Sequence, residues 1–185
     1  IFINKYLFYG DTLVYDRWKW ISKRLPRNRD NWKLLDVGCG SGAFTLKAAS
    51  KGYQSRGLSW SEKDIIKSSK RAKKTRYENC QFDVFDVRNL IEYQHEGYDV
   101  IINSENIEHL IDDLGLFKAM YSKLKKGGYL LLTTPNYFYK PISNDDIGPF
   151  PLPNKLGSHV RRGYTKTMLE ELCSASGFKV QEISS

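Results

Sequence analysis

Short apolar runs alternate with amphipathic stretches along most of the chain, and this alternation predicts strands and helices in turn. The runs typical of strands are KLLDV (33–37), SRGLS (55–59), QFDVF (81–85), YDVIIN (98–103), YLLLTT (129–134) and FKVQEI (178–183). Strands that alternate with helices pair as parallel sheets covered on both faces. The pattern therefore predicts an α/β fold, a Rossmann-like, doubly wound and mostly parallel sheet.

Two helical patterns are clear. One is a stripe that ends at the glycine pair 127–128 and consists of Leu110, Leu114, Phe117, Tyr121 and Leu124. The other begins at about Thr167, with Glu170 completing a capping box, and ends before Gly177. Residues 1–30 are rich in aromatic side chains and are expected to form an N-terminal helical cap, whereas residues 31–185 form the main domain.

Residues 137–163 interrupt the alternation and show neither pattern. Four of the six prolines of the chain lie there: Pro141, Pro149, Pro151 and Pro153. A connection of this length inside a compact domain is usually a lid or a binding loop. We expect this loop to close over the substrate.

The composition narrows the class of protein. The chain has 185 residues, enough for one domain with a real core, and its three cysteines are too few and too scattered for a disulfide framework. No apolar run is long enough to span a membrane, and the first ten residues lack the pattern of a signal peptide. We expect a cytoplasmic protein, and the net charge of +8 permits acidic partners without demonstrating one.

The stretch LLDVGCGSG (34–42) is the strongest local motif. Closely spaced glycines after a strand let a ligand approach the backbone at the start of a helix. Asp36, two residues ahead of Gly38, would repel a pyrophosphate but suits a ligand with an ammonium group. An amino acid attached to a nucleoside meets both conditions.

Together with NCQFDVFDVRNL, YDVIINSENIEHL and LKKGGYLLLTTPN, this motif resembles the class I S-adenosylmethionine-dependent methyltransferases, over roughly residues 31–185. The resemblance implies a seven-stranded sheet whose last, antiparallel strand lies beyond residue 185 or is missing. It also implies that S-adenosylmethionine is the cofactor, held by Asp36, Gly38, Cys39, Gly40, Gly42, Ser59, Trp60, Asp86, Val87, Asn103 and Ser104.

Within this set, Asp86 would accept a hydrogen bond from the adenine amino group, and Asn103 and Ser104 would lie beside the sulfur. Ser59 departs from the family pattern, which has an acidic residue that takes both ribose hydroxyls. Either Glu62 assists it or the affinity is lower. Trp60 stacks on the adenine or is ordinary packing.

Methyl transfer depends chiefly on alignment of the acceptor, although a hydroxyl acceptor also benefits from a base or a metal. His159, in the proline-rich loop, is our preferred general base, with His109 and Glu105 as further catalytic residues. Arg161 and Arg162 could bind an acidic group of the substrate or could be solvated charges. His95 is expected on the surface.

Glu105, Glu108 and His109 form a Glu-x-x-Glu-His pattern whose side chains would share a helix face. With His159 they make a plausible set of ligands for a divalent metal, of the kind that binds metal in small-RNA 2′-O-methyltransferases. Acidic residues in a first helical turn also favour the helix dipole, which is a sufficient structural reason for them. We therefore expect no metal.

These observations predict a methyltransferase that acts on oxygen of a small metabolite, sugar or glycan intermediate; no feature specifies an oligomeric state. RNA methylation is the main alternative, because a basic stripe on one predicted helix could follow a phosphate backbone: Lys63, Lys67, Lys70, Arg71 and Lys74. Such a stripe is more often a solvated helix face. A non-catalytic nucleoside-binding subunit and an NAD-dependent dehydrogenase are the remaining alternatives.

Overall fold

The computed structural model describes residues 12–27, 31–140, 150 and 158–184. Within these ranges five strands form one parallel sheet in the order β3–β2–β1–β4–β5. The strands are β1 (Lys33–Val37), β2 (Gln54–Ser59), β3 (Cys80–Val84), β4 (Tyr98–Ser104) and β5 (Leu124–Thr133). The predicted fold class and its first five strands are confirmed.

Helices cover both faces of the sheet. They are α1 (Thr12–Arg24), α2 (Ala43–Ala49), α3 (Glu62–Thr75), α4 (Asp113–Lys123) and α5 (Lys166–Ser176), with short 3₁₀ helices at Val87–Glu92 and Ile107–His109. Successive residues of a strand point to opposite faces. Leu34 accordingly packs with Trp18 of α1 and Phe44 of α2, whereas Leu35 packs with Phe117 of α4. No helix among the described residues is long and apolar enough to cross a membrane.

The predicted sixth strand is wrong, because residues 178–183 form no strand. Phe178 instead packs edge-on against Tyr121 of α4, with ring centroids 5.2 Å apart. Farther along, Arg24 of α1 donates from Nε to the Glu182 carboxylate at 3.0 Å. The segment is therefore attached to two helices through its side chains, and its backbone does not pair with β5.

Two predicted helix boundaries are also corrected. The helix predicted from the first stripe is α4, which ends one residue before Leu124; Leu124 is instead the first residue of β5 and pairs with β4. The Tyr121 side chain is half exposed. The last helix begins at Lys166, since the Thr165 hydroxyl accepts a hydrogen bond from a backbone N–H three residues on. Thr165, and not Thr167, is thus the N-cap.

Helix α1 lies within the predicted cap of residues 1–30, of which residues 1–11 and 28–30 are outside the described residues. Most of the predicted lid, residues 141–149 and 151–157, also lies outside them. Both assignments stay predictions. The described end of the lid region is attached to the sheet, because Asn136 and Tyr164 form a parallel bridge just past β5.

Candidate active site at the carboxyl end of the sheet

The glycine turn follows β1 and is fixed against the end of β2. Gly38, Gly40 and Gly42 have φ angles of 81°, 49° and 77°, in the left-handed region that favours glycine. The backbone N–H groups of Gly38 and Cys39 both donate to the carbonyl of Leu58, at 3.1 and 2.8 Å. These two hydrogen bonds fix the start of the turn against the end of β2.

The three glycines differ in what surrounds them. A Cβ added to Gly38 would lie 2.7 Å from the Asn106 side chain, and one added to Gly42 would lie 2.5 Å from the Phe82 ring. A Cβ on Gly40 would meet nothing within 4 Å. Gly38 and Gly42 thus allow close packing, whereas Gly40 presents open space in which a ligand could approach the backbone.

Asp36 is buried beneath this turn, with 2% of its surface exposed. Its Oδ2 accepts hydrogen bonds from the backbone N–H and the hydroxyl of Thr45, at 3.0 and 2.7 Å. Thr45 lies in the first turn of α2, whose N-cap, Gly42, has no side chain to cap it. Asp36 therefore caps α2, and burial raises its pKa to about 6 despite these hydrogen bonds.

Two asparagines beside the turn each leave a buried polar atom without a partner among the described residues. Asn103 donates from Nδ2 to the carbonyl of Val37 at 3.0 Å, and its Oδ1 is left unpaired. Nδ2 of Asn106, which adjoins Gly38, is also unpaired. A free acceptor and a free donor fit the ammonium and the carboxylate of an amino acid. Sequence reasoning missed Asn106, because only its contact with Gly38 distinguishes it.

The expected ribose contacts lie at the end of β2. Ser59 is buried, and its hydroxyl accepts a hydrogen bond from the backbone N–H of Ser61 at 3.2 Å. Trp60 is 52% exposed, and Glu62 is exposed at the start of α3. The indole is therefore not ordinary core packing, and it is available to a ring placed against it.

Asp86, the expected adenine partner, is engaged by a neighbour. Arg88 donates from Nε to both carboxylate oxygens, at 3.0 and 2.9 Å, and from its backbone N–H at 3.0 Å. These hydrogen bonds hold the pKa of Asp86 below its usual range. Because Arg88 donates to both oxygens of Asp86, an adenine contact would replace or share that interaction. Val87 beside it is buried.

Glu108, His109 and His159 form a cluster near the turn. Each offers a ligand atom within 4.8 Å of the others, and the two imidazole rings meet edge to face at 4.6 Å. Glu108 is 1% exposed and accepts from the Thr134 hydroxyl at 3.2 Å. Burial and the nearby Glu105 charge raise its pKa to about 7. One carboxylate and two imidazoles are a donor set that zinc and related metals accept.

Glu105 is not one of the three groups whose ligand atoms lie within 4.8 Å of one another. It follows β4 in the left-handed region, with φ 49°, which is strained for a residue other than glycine. Its oxygens take a hydrogen bond from Thr133 at 3.1 Å and an ion pair from Arg17 of α1 at 3.2 Å. The expected common helix face does not form, because the 3₁₀ helix begins only at Ile107. Sequence reasoning also missed Arg17.

The basic stripe on α3 is partly used within the fold. Arg71 donates to the carbonyl of Ser41 at 2.6 Å, so it supports the glycine turn from outside.

Ser104, which was expected beside the sulfur, forms a hydrogen bond within the sheet: its hydroxyl lies 2.7 Å from that of Thr133 on β5.

Comparison with known proteins agrees with this geometry. A family model described as a methyltransferase domain matches residues 12–183. Ubiquinone biosynthesis O-methyltransferases from Acinetobacter baumannii and Leptothrix cholodnii are 29% and 28% identical over 120 residues, which is 65% of this chain. The chain spans about half the length of these curated relatives, 50% and 51%.

Solved structures share the fold. A phosphoethanolamine N-methyltransferase of Haemonchus contortus, in complex with S-adenosyl-L-methionine, aligns with a TM-score of 0.70 and 24% identity, over 88% of this chain and 36% of that one. The [4+2]-cyclase SpnF aligns with a TM-score of 0.71 and 19% identity, over 92% and 60%. Because the family model matches nearly the whole chain, the protein belongs to the methyltransferase domain family and is a class I, S-adenosylmethionine-dependent type.

Proposed function

We propose that this protein transfers a methyl group from S-adenosylmethionine to an oxygen atom of a small-molecule acceptor. The observation that carries the proposal is the contact between Gly38 and Asn106, which joins the glycine turn to the segment bearing Glu108 and His109. The proposed cofactor site would thereby adjoin a cluster of titratable groups. The names of the O-methyltransferase relatives support oxygen as the acceptor atom.

The cofactor would lie over the open side of Gly40. Asn103 would accept a hydrogen bond from its ammonium group, and Asn106 would donate one to its carboxylate. Asp36, once ionised, would add a negative charge under the ammonium end. When bound, the cofactor supplies a methyl group activated by a sulfonium.

The histidine pair would remove the proton of the acceptor hydroxyl. His159 would take a proton from an acceptor hydroxyl, and the nearby His109 and Glu108 would orient its ring and stabilise the resulting positive charge. General-base assistance of this kind is worth about 10²- to 10⁴-fold in rate.

A panel of hydroxylated small molecules, assayed for methyl transfer from labelled cofactor, would test this role. His159→Gln should lower kcat by about 10²-fold or more and leave the affinity for S-adenosylhomocysteine unchanged. His95→Gln, a histidine outside the cluster, is the matched control. Full turnover by the His159 variant would rule out the general base.

Metal-assisted methylation is the second candidate, favoured by the 4.8 Å grouping of Glu108, His109 and His159. These three groups would hold a divalent cation, which would polarise the acceptor hydroxyl. Chelation distinguishes the candidates: activity that survives EDTA supports His159 as a base. Activity that is lost and then restored by Mg²⁺, Mn²⁺ or Zn²⁺ supports the metal.

The acceptor is proposed to be a metabolite, sugar or glycan intermediate. An RNA acceptor gains no support from the relatives. Measurement of RNA binding at low salt tests this directly, since a backbone-tracking surface would bind with steep salt dependence.

A further inference from the structure

Residues 158–164 connect the histidine pair to the end of the sheet. The backbone N–H of Val160 donates to the carbonyl of Glu108 at 2.9 Å, and that of Tyr137 donates to the carbonyl of Tyr164 at 3.0 Å. Arg162 lies between these attachments, and His159, three residues before it, directly precedes the first. Since three residues span at most about 11 Å, one small molecule could reach both side chains.

The two arginines of this segment have different surroundings. Arg161 is fully engaged, because it pairs with Asp113 and donates to the carbonyls of Leu110 and Ile111 at 2.7 and 3.0 Å. Arg161 therefore has a structural role and is neither a solvated charge nor a free binding group for the substrate.

Arg162 has no acidic partner among the described residues. Its guanidinium lies 5.7 Å from the ring centres of both Tyr137 and Tyr139, and Nη2 donates to the Tyr139 carbonyl at 2.8 Å. Its Nε is buried and makes no hydrogen bond to any residue that the structure describes. A guanidinium has five N–H donors, and one hydrogen bond from that of Arg162 goes to a described residue.

Exposed aromatic side chains adjoin this cation. Tyr137 is 42% exposed and Phe138 is 77% exposed, and their rings meet edge to face at 5.3 Å. An exposed apolar surface beside a cation that has no acidic partner in the described ranges complements a molecule with an apolar body and an anionic group.

Building on the proposed function, we propose that Arg162 binds an anionic group, a carboxylate or a phosphate, of the methyl acceptor. Tyr137 and Phe138 contact the apolar body of that acceptor, and its hydroxyl points toward His159. Arg162 is thus a specificity-determining residue, and the acceptor is a small amphipathic acid.

The test measures anion preference directly, by titrating phenyl phosphate, benzoate and neutral benzyl alcohol into the protein with and without S-adenosylhomocysteine. The wild type should bind the two anions more tightly than the alcohol. Arg162→Gln should lower that preference about 10- to 100-fold, the usual value of a charge-assisted hydrogen bond. Arg162→Lys, which keeps the charge, should retain part of it. The exposed Lys166→Gln variant is the matched control and should behave as wild type.

One further variant and one competition experiment separate binding from folding. Phe138→Ala should weaken all three aromatic probes equally and leave the anion preference intact, and inorganic phosphate should compete with phenyl phosphate in the wild type. If the wild type shows no anion preference, or if Arg162→Gln leaves that preference unchanged, the proposal is overturned. Whichever anion binds more tightly identifies the acidic group. Failure of the wild type to bind S-adenosylhomocysteine overturns the proposed function separately, because the anion preference is also measured on the unloaded protein.

Discussion

The burial of Asp36 leads to a quantitative prediction about stability and pH. Its pKa is raised from 3.8 to about 6, so the folded protein keeps this proton over a range in which the unfolded chain has lost it. The group therefore contributes stability below pH 4 that is lost as the pH rises through 6. A shift of this size corresponds to about 3 kcal/mol in total, of which about 2 kcal/mol falls between pH 4.5 and 7.5.

The substitution Asp36→Asn removes the titration and keeps an oxygen that can accept from Thr45. We expect the free energy of unfolding of the wild type, relative to the variant, to fall by about 2 kcal/mol between pH 4.5 and 7.5. Urea denaturation at a series of pH values measures this difference. Asp16→Asn is the control, because the Asp16 side chain is 66% exposed, and its difference from wild type should stay nearly constant.

A constant difference between the wild type and Asp36→Asn would refute the reasoning, because it would mean that the carboxylate is ionised without cost in the folded protein. The same titration has a consequence for binding. If an ionised Asp36 faces the ammonium group of the cofactor, the affinity of the wild type for S-adenosylhomocysteine should rise as the pH passes through 6. The affinity of the variant should be independent of pH in that range.

The other predictions concern the glycine turn. Asn106→Ala should weaken S-adenosylhomocysteine binding about tenfold by calorimetry without lowering the melting temperature, because it removes a buried donor that has no partner in the described part of the chain. Gly42→Ala should destabilise the fold by more than about 1–2 kcal/mol, because the left-handed φ adds to a contact 2.5 Å from Phe82. Gly40→Ala should cost about 1–2 kcal/mol for its φ alone and weaken cofactor binding, since its methyl group would enter the open side of the turn. Equal melting temperatures for the two glycine variants would contradict this distinction.

The two central strands of the parallel sheet could be predicted from sequence because β1 and β4 are apolar runs bounded by polar residues. Strand β1 is buried from Leu34 to Val37, and β4 is buried from Tyr98 to Asn103. The segment at 178–183 has a similar composition but fails as a strand, because the position of Phe178 is decided by its packing on α4. The hydrophobic pattern of a segment predicts which secondary structure it favours, and it does not predict which surface the segment packs on.

The candidate site was predictable only where its residues are adjacent in sequence. The glycine turn is such a case. Asp36 accepts a hydrogen bond from Thr45, nine residues away in the sequence. Asn106, which follows β4, contacts Gly38, which follows β1. Neither contact can be predicted from the spacing of residues within one motif. His159 reaches His109 as expected, whereas Glu105 turns to Arg17 because its backbone lies outside the 3₁₀ helix.

The central claim is that the residues around the glycine turn, Asp36, Asn103 and Asn106, select an amino acid linked to a nucleoside over a dinucleotide. Calorimetric titration of the wild-type protein with S-adenosylhomocysteine and, separately, with NAD tests it most directly. The account predicts saturable binding of S-adenosylhomocysteine and no measurable binding of NAD. Tight binding of NAD with no binding of S-adenosylhomocysteine would contradict it.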